Sequence, residues 1–324
     1  MPQPRWTNVA ALALVVALAS TGCSGSSSGG ASGTTTSSST SKPDCTGRGV
    51  PRGAATSAAK PIVEHLAFGG VQREYQVALP KAYDGSQAVP LVLQFHGFSS
   101  SRQAIDADTG LSREGAAAGF AVVTPDALGD PMQWNMFGAA GQADDFGFVA
   151  ALVKRLRSDL CIDADRVFAA GHSNGSAFTG FLPCHVHDTF AGIAMVSATI
   201  PPICATDEQP SIWATAGTKD PQVPAKGGTV SGSTTGIPPA EESIAAYRKA
   251  YGCDPKPERS EPVAGASVET ATGCTDHEQV VYVEIVGGTH PWPGGLAAAA
   301  EQADSKAGKT CDATAAILAF FAKA

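Results

Sequence analysis

The sequence has little positive charge, no long apolar run, no internal repeat and no Cys-x-x-Cys pair. Its 22 Lys and Arg against 30 Asp and Glu give a net charge of −8, which argues against nucleic acid or another anionic polymer as the partner. The apolar run of residues 9–19 is too short to span a bilayer. The missing Cys-x-x-Cys spacing argues against a zinc site, so we expect no metal and no cofactor. The absence of a repeat argues against solenoids and propellers.

The first 59 residues have the composition of a signal peptide followed by a tether. Arg5 and the apolar run predict a signal peptide over residues 1–22, and the small residues before Cys23 are typical of a bacterial lipoprotein cleavage site. We expect a lipid on Cys23 that anchors the protein to the outer side of a membrane; the alternative is plain secretion. Residues 23–59 begin with a Ser-, Gly- and Thr-rich stretch that cannot bury a core, which predicts a flexible tether and N-terminal extension.

Residues 60–324 alternate short apolar runs with helical patterns, as expected for a single α/β domain. A hairpin is predicted from residues 63–66 and 71–79. Buried strands are predicted at residues 91–95, 120–124, 193–196, 212–215 and 280–285. Helices are predicted at residues 102–119, 144–157 and 311–323. Strands that are apolar throughout and separated by helices indicate a mostly parallel sheet that is covered by helices on both faces.

A Gly-x-Ser-x-Gly pentapeptide, from Gly171 to Gly175, lies between an apolar run and a helix-compatible run. That order is typical of the nucleophile elbow, a strand–turn–helix unit that exposes a serine hydroxyl above the sheet. The two glycines lack side chains, so the strand and the helix can pass close to each other. The motif predicts the α/β-hydrolase fold with Ser173 as the nucleophile.

A serine nucleophile needs a base and an orienting carboxylate, which this fold supplies in the order Ser, Asp or Glu, His. His290 lies in a Gly- and Pro-rich loop after the predicted strand 280–285, and Asp220 lies just past the strand 212–215. Asp188 and Asp207 are rivals for the acid, but they lack a position at a strand end. We therefore predict a catalytic triad of Ser173, Asp220 and His290.

Acyl transfer also needs hydrogen-bond donors for the oxyanion. The N–H after the nucleophile belongs to Asn174, and Phe98 follows His96-Gly97 in the loop after an early strand, so these two N–H groups are the predicted oxyanion hole. His96, Trp134 and Trp292 also lie in or beside loops at strand ends. We expect these three side chains to contact the substrate, because aromatic rings favour flat or apolar groups.

Four stretches of the chain resemble the polyhydroxybutyrate depolymerase and feruloyl esterase family of secreted α/β-hydrolases: residues 91–97, 134–135 with 144–148, 161–175, and 287–294. The resemblance implies a triad at Ser173, Asp220 and His290, no metal, and extracellular ester substrates. The chain departs from the family where Ala225 follows Val223-Pro224 in place of an aromatic residue. It departs again in the oxyanion loop, which is rich in serine and not in glycine.

The eight cysteines are expected to form disulfides, because an exported chain meets an oxidising environment. The predicted bridges are Cys184–Cys204 and Cys253–Cys274. Cys45 is left to pair with Cys161 or with Cys311. If Cys23 carries a lipid, one of the other seven cysteines is free or pairs outside the chain; otherwise four bridges are possible.

The preferred function is a serine carboxylesterase that hydrolyses short-chain, hydroxycinnamoyl or hydroxyalkanoate esters. A non-catalytic surface binding protein on the same fold is one alternative, but all three triad residue types stand at the expected positions. A serine peptidase is the other, although no insertion long enough for a propeller or cap domain separates the motifs.

Overall fold

The computed structural model describes Cys45 and residues 61–324, apart from residues 140, 203, 205–208, 233, 235, 276–277 and 302–303. The predicted signal peptide, Cys23 and the Ser-rich tether lie outside the described residues. Within them, no helix has the length and apolar character needed to cross a membrane.

The strands and helices of the described residues alternate along most of the chain. The strands are β1 (Ile62–Phe68), β2 (Val71–Ala78), β3 (Val89–Phe95), β4 (Ala121–Pro125), β5 (Leu128–Gly129), β6 (Met132–Gln133), β7 (Ile162–His172), β8 (Gly192–Val196), β9 (Ser211–Gly217), β10 (Gly228–Thr229), β11 (Gly236–Ile237), β12 (Glu258–Val263), β13 (Ala266–Thr270) and β14 (Val280–Ile285). The helices are α1 (Arg102–Thr109), α2 (Leu111–Ala117), α3 (Asp145–Asp159), α4 (Asn174–Phe181), α5 (Ala240–Ala250), α6 (Leu296–Ala300), α7 (Lys306–Thr310) and α8 (Ala313–Phe321).

Ten strands form one sheet in the order β1-β2-β4-β3-β7-β8-β9-β14-β13-β12. The neighbours from β4 to β14 are parallel. The pairs at the two edges of the sheet are antiparallel. Strands β5–β6 and β10–β11 form two short ribbons outside this sheet. The predicted α/β-hydrolase fold with a mostly parallel sheet is confirmed.

Both faces of the central strands are buried, which explains why these strands are predominantly apolar. On β3, Leu91 and Leu93 pack on one face in a core with residues of α3, α4 and α5. Val92, between them, packs on the other face in a core with residues of α2 and α8. Because the carboxyl ends of parallel strands meet at one edge, the loops after β3, β7, β9 and β14 converge there.

The predicted helix over residues 102–119 is wrong as a single helix. The chain forms α1 and α2, and Gly110 separates them with a φ of 65°. The Gly110 N–H donates to the Asp106 carbonyl at 2.8 Å, which ends α1, and the Asp106 side chain accepts the Ser112 N–H of α2 at 3.0 Å. Glycine adopts this left-handed conformation at no steric cost, so the helix direction changes there.

Three disulfides connect the described residues. Cys184–Cys204 and Cys253–Cys274 are present as predicted, and Cys45 pairs with Cys161, which excludes the alternative pairing of Cys45 with Cys311. The Cys45–Cys161 bridge spans 116 residues and ties the segment before β1 to the start of β7. In the loop-entropy model a crosslink of that span stabilises the fold by about 5 kcal/mol.

Candidate active site

Ser173 occupies a strained turn between β7 and α4, with φ 55° and ψ −118°. The turn is held by the Ser173 N–H, which donates to the Val196 carbonyl at 2.9 Å. A Cβ added to Gly171 would overlap the carbonyl oxygen of Gly175, and one added to Gly175 would overlap that of His96. Both positions therefore require glycine, and the tight crossing that results forces Ser173 out of the sheet.

The hydroxyl of Ser173 begins a chain of hydrogen bonds through His290 to Asp220. Ser173 Oγ lies 2.8 Å from His290 Nε2, and His290 Nδ1 lies 2.7 Å from Asp220 Oδ2. The second oxygen, Asp220 Oδ1, accepts the backbone N–H groups of Gln222 at 2.7 Å and Val223 at 2.9 Å. With both oxygens accepting, Asp220 takes the Nδ1–H of His290 and leaves the Nε2 lone pair to face Ser173.

The loops that carry Asp220 and His290 are joined by further hydrogen bonds, in addition to the one between those two side chains. The Lys219 N–H donates to the Gly288 carbonyl at 2.9 Å, and the Gly287 N–H donates to Thr218 Oγ1 at 2.8 Å. Their strands, β9 and β14, are parallel neighbours, so the two loops leave the sheet side by side. These bonds hold the carboxylate and the imidazole at a fixed separation.

His172, the last residue of β7, contacts the backbone of the candidate base His290. His172 Nε2 lies 2.9 Å from the carbonyl oxygen of His290, so its N–H holds that backbone in place. Burial, together with the nearby His290 ring, lowers the pKa of His172 from 6.5 to about 4. His172 is therefore neutral near pH 7, and it places no second positive charge beside His290 when His290 takes up a proton.

Acid should destabilise the protein between about pH 6.5 and pH 4 because of His172. Its folded-state pKa of about 4 lies below 6.5, so in this window the unfolded chain binds a proton that the folded chain does not. Stability is thus highest above pH 6.5 and falls as the pH is lowered. His172→Gln should flatten that fall in urea unfolding curves. Equal slopes in the wild type and His172→Gln would contradict this assignment.

Two backbone N–H groups near the serine lack a protein acceptor among the described residues. In the part of the chain that the structure describes, neither the Phe98 N–H nor the Asn174 N–H donates to a protein acceptor. The Phe98 loop passes directly over the nucleophile, since a Cβ built on Gly97 would lie 3.3 Å from the Ser173 Cβ. The Ser99 N–H anchors the loop by donating to the Met132 carbonyl at 2.8 Å. These two N–H groups have the character required of oxyanion donors.

The prediction that His96 contacts the substrate is wrong, because its side chain is 0% exposed. His96 Nδ1 lies 2.8 Å from the Gly97 carbonyl, and His96 Nε2 accepts the Ala127 N–H at 3.0 Å. Burial lowers the pKa of His96, which keeps the ring neutral and able to make both bonds. The His96 ring packs under the Phe98 loop and, through its bond to the Gly97 carbonyl, fixes the backbone that carries the candidate oxyanion donor.

Trp134 and Trp292 are also buried, at 2% and 1% exposure, so the prediction that they contact the substrate is wrong too. Trp134 Nε1 donates to the His96 carbonyl at 2.9 Å, and its ring stacks on Phe178 of α4 with centroids 5.0 Å apart. Trp292 Nε1 donates to Thr314 Oγ1 at 3.1 Å. Both residues follow the end of a strand, as predicted. A residue's place in the sequence does not show which way its side chain points, and these two side chains point into the core.

A buried ion pair, which could not be predicted from the sequence, contacts the segment that is hydrogen-bonded to Asn174, next to the nucleophile turn. Arg73 Nη2 of β2 lies 2.8 Å from Asp145 Oδ1, and Asp145 Oδ2 accepts the Asn135 N–H at 2.8 Å. The preceding N–H, of Trp134, donates to the side-chain oxygen of Asn174 at 2.7 Å. Asp145 lies in one of the stretches that resemble the esterase family, residues 144–148. Nothing in the sequence indicates that Arg73 is its partner.

The mostly parallel sheet and the sharp turn at Ser173 define an α/β-hydrolase fold. No family model matches the chain. It is 26% identical over 229 residues to feruloyl esterase B of Piromyces equi, which covers 67% of this chain but only 42% of that protein. It is 28% identical over 323 residues to the Nocardia uniformis protein named "Putative esterase NocK", covering 89% of this chain and 90% of the relative.

Feruloyl esterase D of Neurospora crassa is 24% identical over 235 residues, or 68% of this chain and 74% of that protein. The solved acetyl xylan esterase from Aspergillus awamori superposes on 72% of this chain and 95% of its own, with a TM-score of 0.53 and 15% identity, which supports the fold alone. The resemblance to feruloyl esterases that the sequence indicated is confirmed: the chain is similar in sequence to feruloyl esterases and to an esterase, and its fold is that of an α/β-hydrolase.

Proposed function

We propose that the protein is a serine carboxylesterase that hydrolyses extracellular esters through an acyl-enzyme on Ser173. The observation that carries this proposal is the unbroken hydrogen-bonded chain from Ser173 through His290 to Asp220. Esterase activity is also supported by the names of the relatives, which are feruloyl esterases and an esterase.

In the proposed reaction, His290 Nε2 takes the hydroxyl proton as Ser173 Oγ bonds to the ester carbonyl carbon. The carbonyl oxygen becomes an oxyanion that accepts the N–H groups of Phe98 and Asn174. When the tetrahedral intermediate collapses, the bond to the alcohol breaks and His290 returns its proton to the leaving oxygen. Water, deprotonated by the same nitrogen, then releases the acid and restores Ser173.

Among esters, a hydroxycinnamoyl ester is the proposed natural class, with a hydroxyalkanoate polyester as the alternative. Phe98 supports the first, because its side chain is 56% exposed next to the candidate oxyanion donor and can lie against an aromatic acyl group. The test compares methyl hydroxycinnamates with hydroxybutyrate oligomers. Phe98→Ala should raise KM for hydroxycinnamates by about tenfold and leave KM for the oligomers within about twofold; the reverse order of effects would favour the polyester.

The dependence of kcat/KM on the length of the acyl chain is a second, independent prediction. With p-nitrophenyl esters we expect kcat/KM to fall beyond about C6, because methylenes that stay in water gain none of the roughly 0.8 kcal/mol that burial would give each of them. A steady rise out to C12 or C16 would instead indicate a deep acyl tunnel and a lipase. The measurement is a series of esters of increasing chain length at fixed pH.

The two competing functions are separated by simple assays. A peptidase would cleave p-nitroanilides of amino acids faster than the corresponding esters, which the proposal excludes. A non-catalytic binding protein would cleave neither, even though it kept the fold.

An extracytoplasmic location is proposed on the three disulfides, which form and persist in oxidising compartments. The finer proposal is a lipid anchor on Cys23. The intact mass of the mature protein, isolated from its membrane fraction, should correspond to a chain that starts at Cys23 and carries added acyl groups. A mature chain without lipid that starts at any other residue would indicate secretion.

A further inference from the structure

A groove of about 310 Å³ lies between α3 and the segment after α4, away from Ser173. We call it the α3 groove. Its lining contains four groups that are or can become positively charged, together with small apolar side chains and a threonine, and it contains no carboxylate. The lining residues are Ala150, Val153, Lys154, Arg157, His185, Val186, His187 and Thr189.

The two permanent cations of the α3 groove have no carboxylate within 4 Å among the described residues. Most arginines in the described residues have a carboxylate within 4 Å: Arg73, Arg102, Arg113, Arg155, Arg248 and Arg259. Neither Arg157 nor Lys154 has an ion pair of that kind among the described residues. Asp159, one turn from Arg155, pairs with Arg155. Arg157 thus differs from most arginines of the described residues, and Lys154 adds a second positive charge to the same concave surface.

Arg157 is held in place by an uncharged group. Its Nη2 donates to the Ala164 carbonyl at 3.0 Å, which orients the guanidinium without cancelling its charge. Burial lowers the pKa of Arg157, and the more distant Asp165 offsets this only in part. A partly desolvated cation gains more from an added anion than a fully solvated one does, because the surrounding water screens it less.

The remaining walls would suit an apolar body attached to that anion. Ala150 contributes exposed apolar surface, and the largely buried Val153 and Val186 line the groove from the core side. The exposed His185 ring is stacked on Phe146, with centroids 3.9 Å apart and an interplanar angle of 15°. Phe146 in turn stacks on Phe178 at 4.8 Å, so this wall is ordered before any ligand arrives. A bare inorganic anion would leave most of the groove's volume unfilled.

We propose that the α3 groove binds a small carboxylate with an aromatic or apolar body, at a site separate from Ser173. The carboxylate would lie between Lys154 and Arg157, where a guanidinium offers two parallel N–H donors, and the body would lie against Val153, Val186 and the His185 ring. This site does not depend on the proposed esterase, although the acid that such an esterase releases would have this chemistry.

The test is calorimetric titration of the full-length Ser173→Ala protein at low salt with 4-hydroxycinnamate. Its neutral methyl ester and inorganic phosphate are the matched probes. Lys154→Glu reverses one charge in the groove on an exposed helix position, and Lys323→Glu makes the same change at the exposed C-terminus. Binding needs no turnover, so failure of this proposal is separable from failure of the proposed function.

We expect saturable binding of 4-hydroxycinnamate that Lys154→Glu weakens by about tenfold or more and Lys323→Glu by less than about twofold. The methyl ester should not compete at this site, and phosphate should bind at least about tenfold more weakly. Equal effects of the two substitutions, or no saturation up to about 50 mM, would overturn the site. Phosphate binding as tight as that of the carboxylate would overturn the role of the apolar walls.

Discussion

Ser173→Ala is expected to lower kcat for ester hydrolysis by about three orders of magnitude or more, without unfolding the domain. The alanine removes only the oxygen that lies 2.8 Å from His290 Nε2, and the turn itself is held by backbone bonds. His290→Ala should have an effect of the same size, because without the base the hydroxyl is a poor nucleophile. The two losses should not add in the double variant, since the residues act as one unit.

The matched control is Ser176→Ala, three residues later on α4. Its hydroxyl is buried and donates to the Ala198 carbonyl at 2.7 Å, so it serves packing and not the reaction. Ser176→Ala should cost about 1 kcal/mol of stability and keep kcat within about threefold of the wild type. Full activity in Ser173→Ala, or equal losses in both variants, would contradict the assignment.

Asp220→Asn tests the orientation of the base rather than its presence. Asp220 Oδ1 accepts two backbone N–H groups, so the amide oxygen of Asn should occupy that place and turn its NH2 toward His290. An NH2 donor there favours the tautomer with the proton on Nε2, which cannot accept from Ser173. We expect a loss of kcat of about three to four orders of magnitude with unchanged stability to within about 1–2 kcal/mol. A loss below tenfold would point to another acid.

Asp145→Ala is expected to destabilise the fold by about 3–5 kcal/mol, the largest stability effect predicted for a single side chain. Arg73 and Asp145 are 1% and 0% exposed, so removing the carboxylate leaves a guanidinium buried without its counter-charge. It also leaves the Asn135 N–H without its acceptor, next to the residue that bonds Asn174. Urea unfolding measures the first effect, and a fall in kcat of the folded fraction measures the second.

The double variant Arg73→Met with Asp145→Leu separates charge burial from packing. Apolar residues of similar volume remove both charges, and the stability should recover to within about 1–2 kcal/mol of the wild type. The lost N–H acceptor at Asn135 is not restored, so kcat should stay low. A double variant as unstable as Asp145→Ala would show that charge burial is not the cause.

Much of the site could be predicted because its chemistry is local in sequence. Gly171 and Gly175 are required by a single crossing of strand and helix, so the pentapeptide together with its flanking apolar and helical runs predicts the strained turn. His290 and Asp220 each follow an apolar strand, and parallel strands bring their carboxyl ends together. The parallel sheet could be predicted from strands that are predominantly apolar on both faces, which is a direct consequence of burial on both faces.

The rest depended on information that the sequence does not carry locally. Strand β12 is exposed at most positions, so it lacks the apolar period that reveals strands, and no strand is predicted there from the sequence. The Arg73–Asp145 pair joins residues 72 positions apart, and no local pattern reports such a contact. Trp134 and Trp292 stand at the right edge of the sheet but point into the core, because their ring N–H groups find buried acceptors there.

Reaction of the full-length protein with a serine-directed fluorophosphonate, followed by peptide mapping, tests the central claim most directly. The account predicts one label per chain, carried by Ser173, because among the described residues only that hydroxyl is bonded to a histidine that an aspartate orients. Labelling should be lost in His290→Ala and kept in Ser176→Ala. A label on another serine, or no label on a folded protein that still hydrolyses esters, would contradict it.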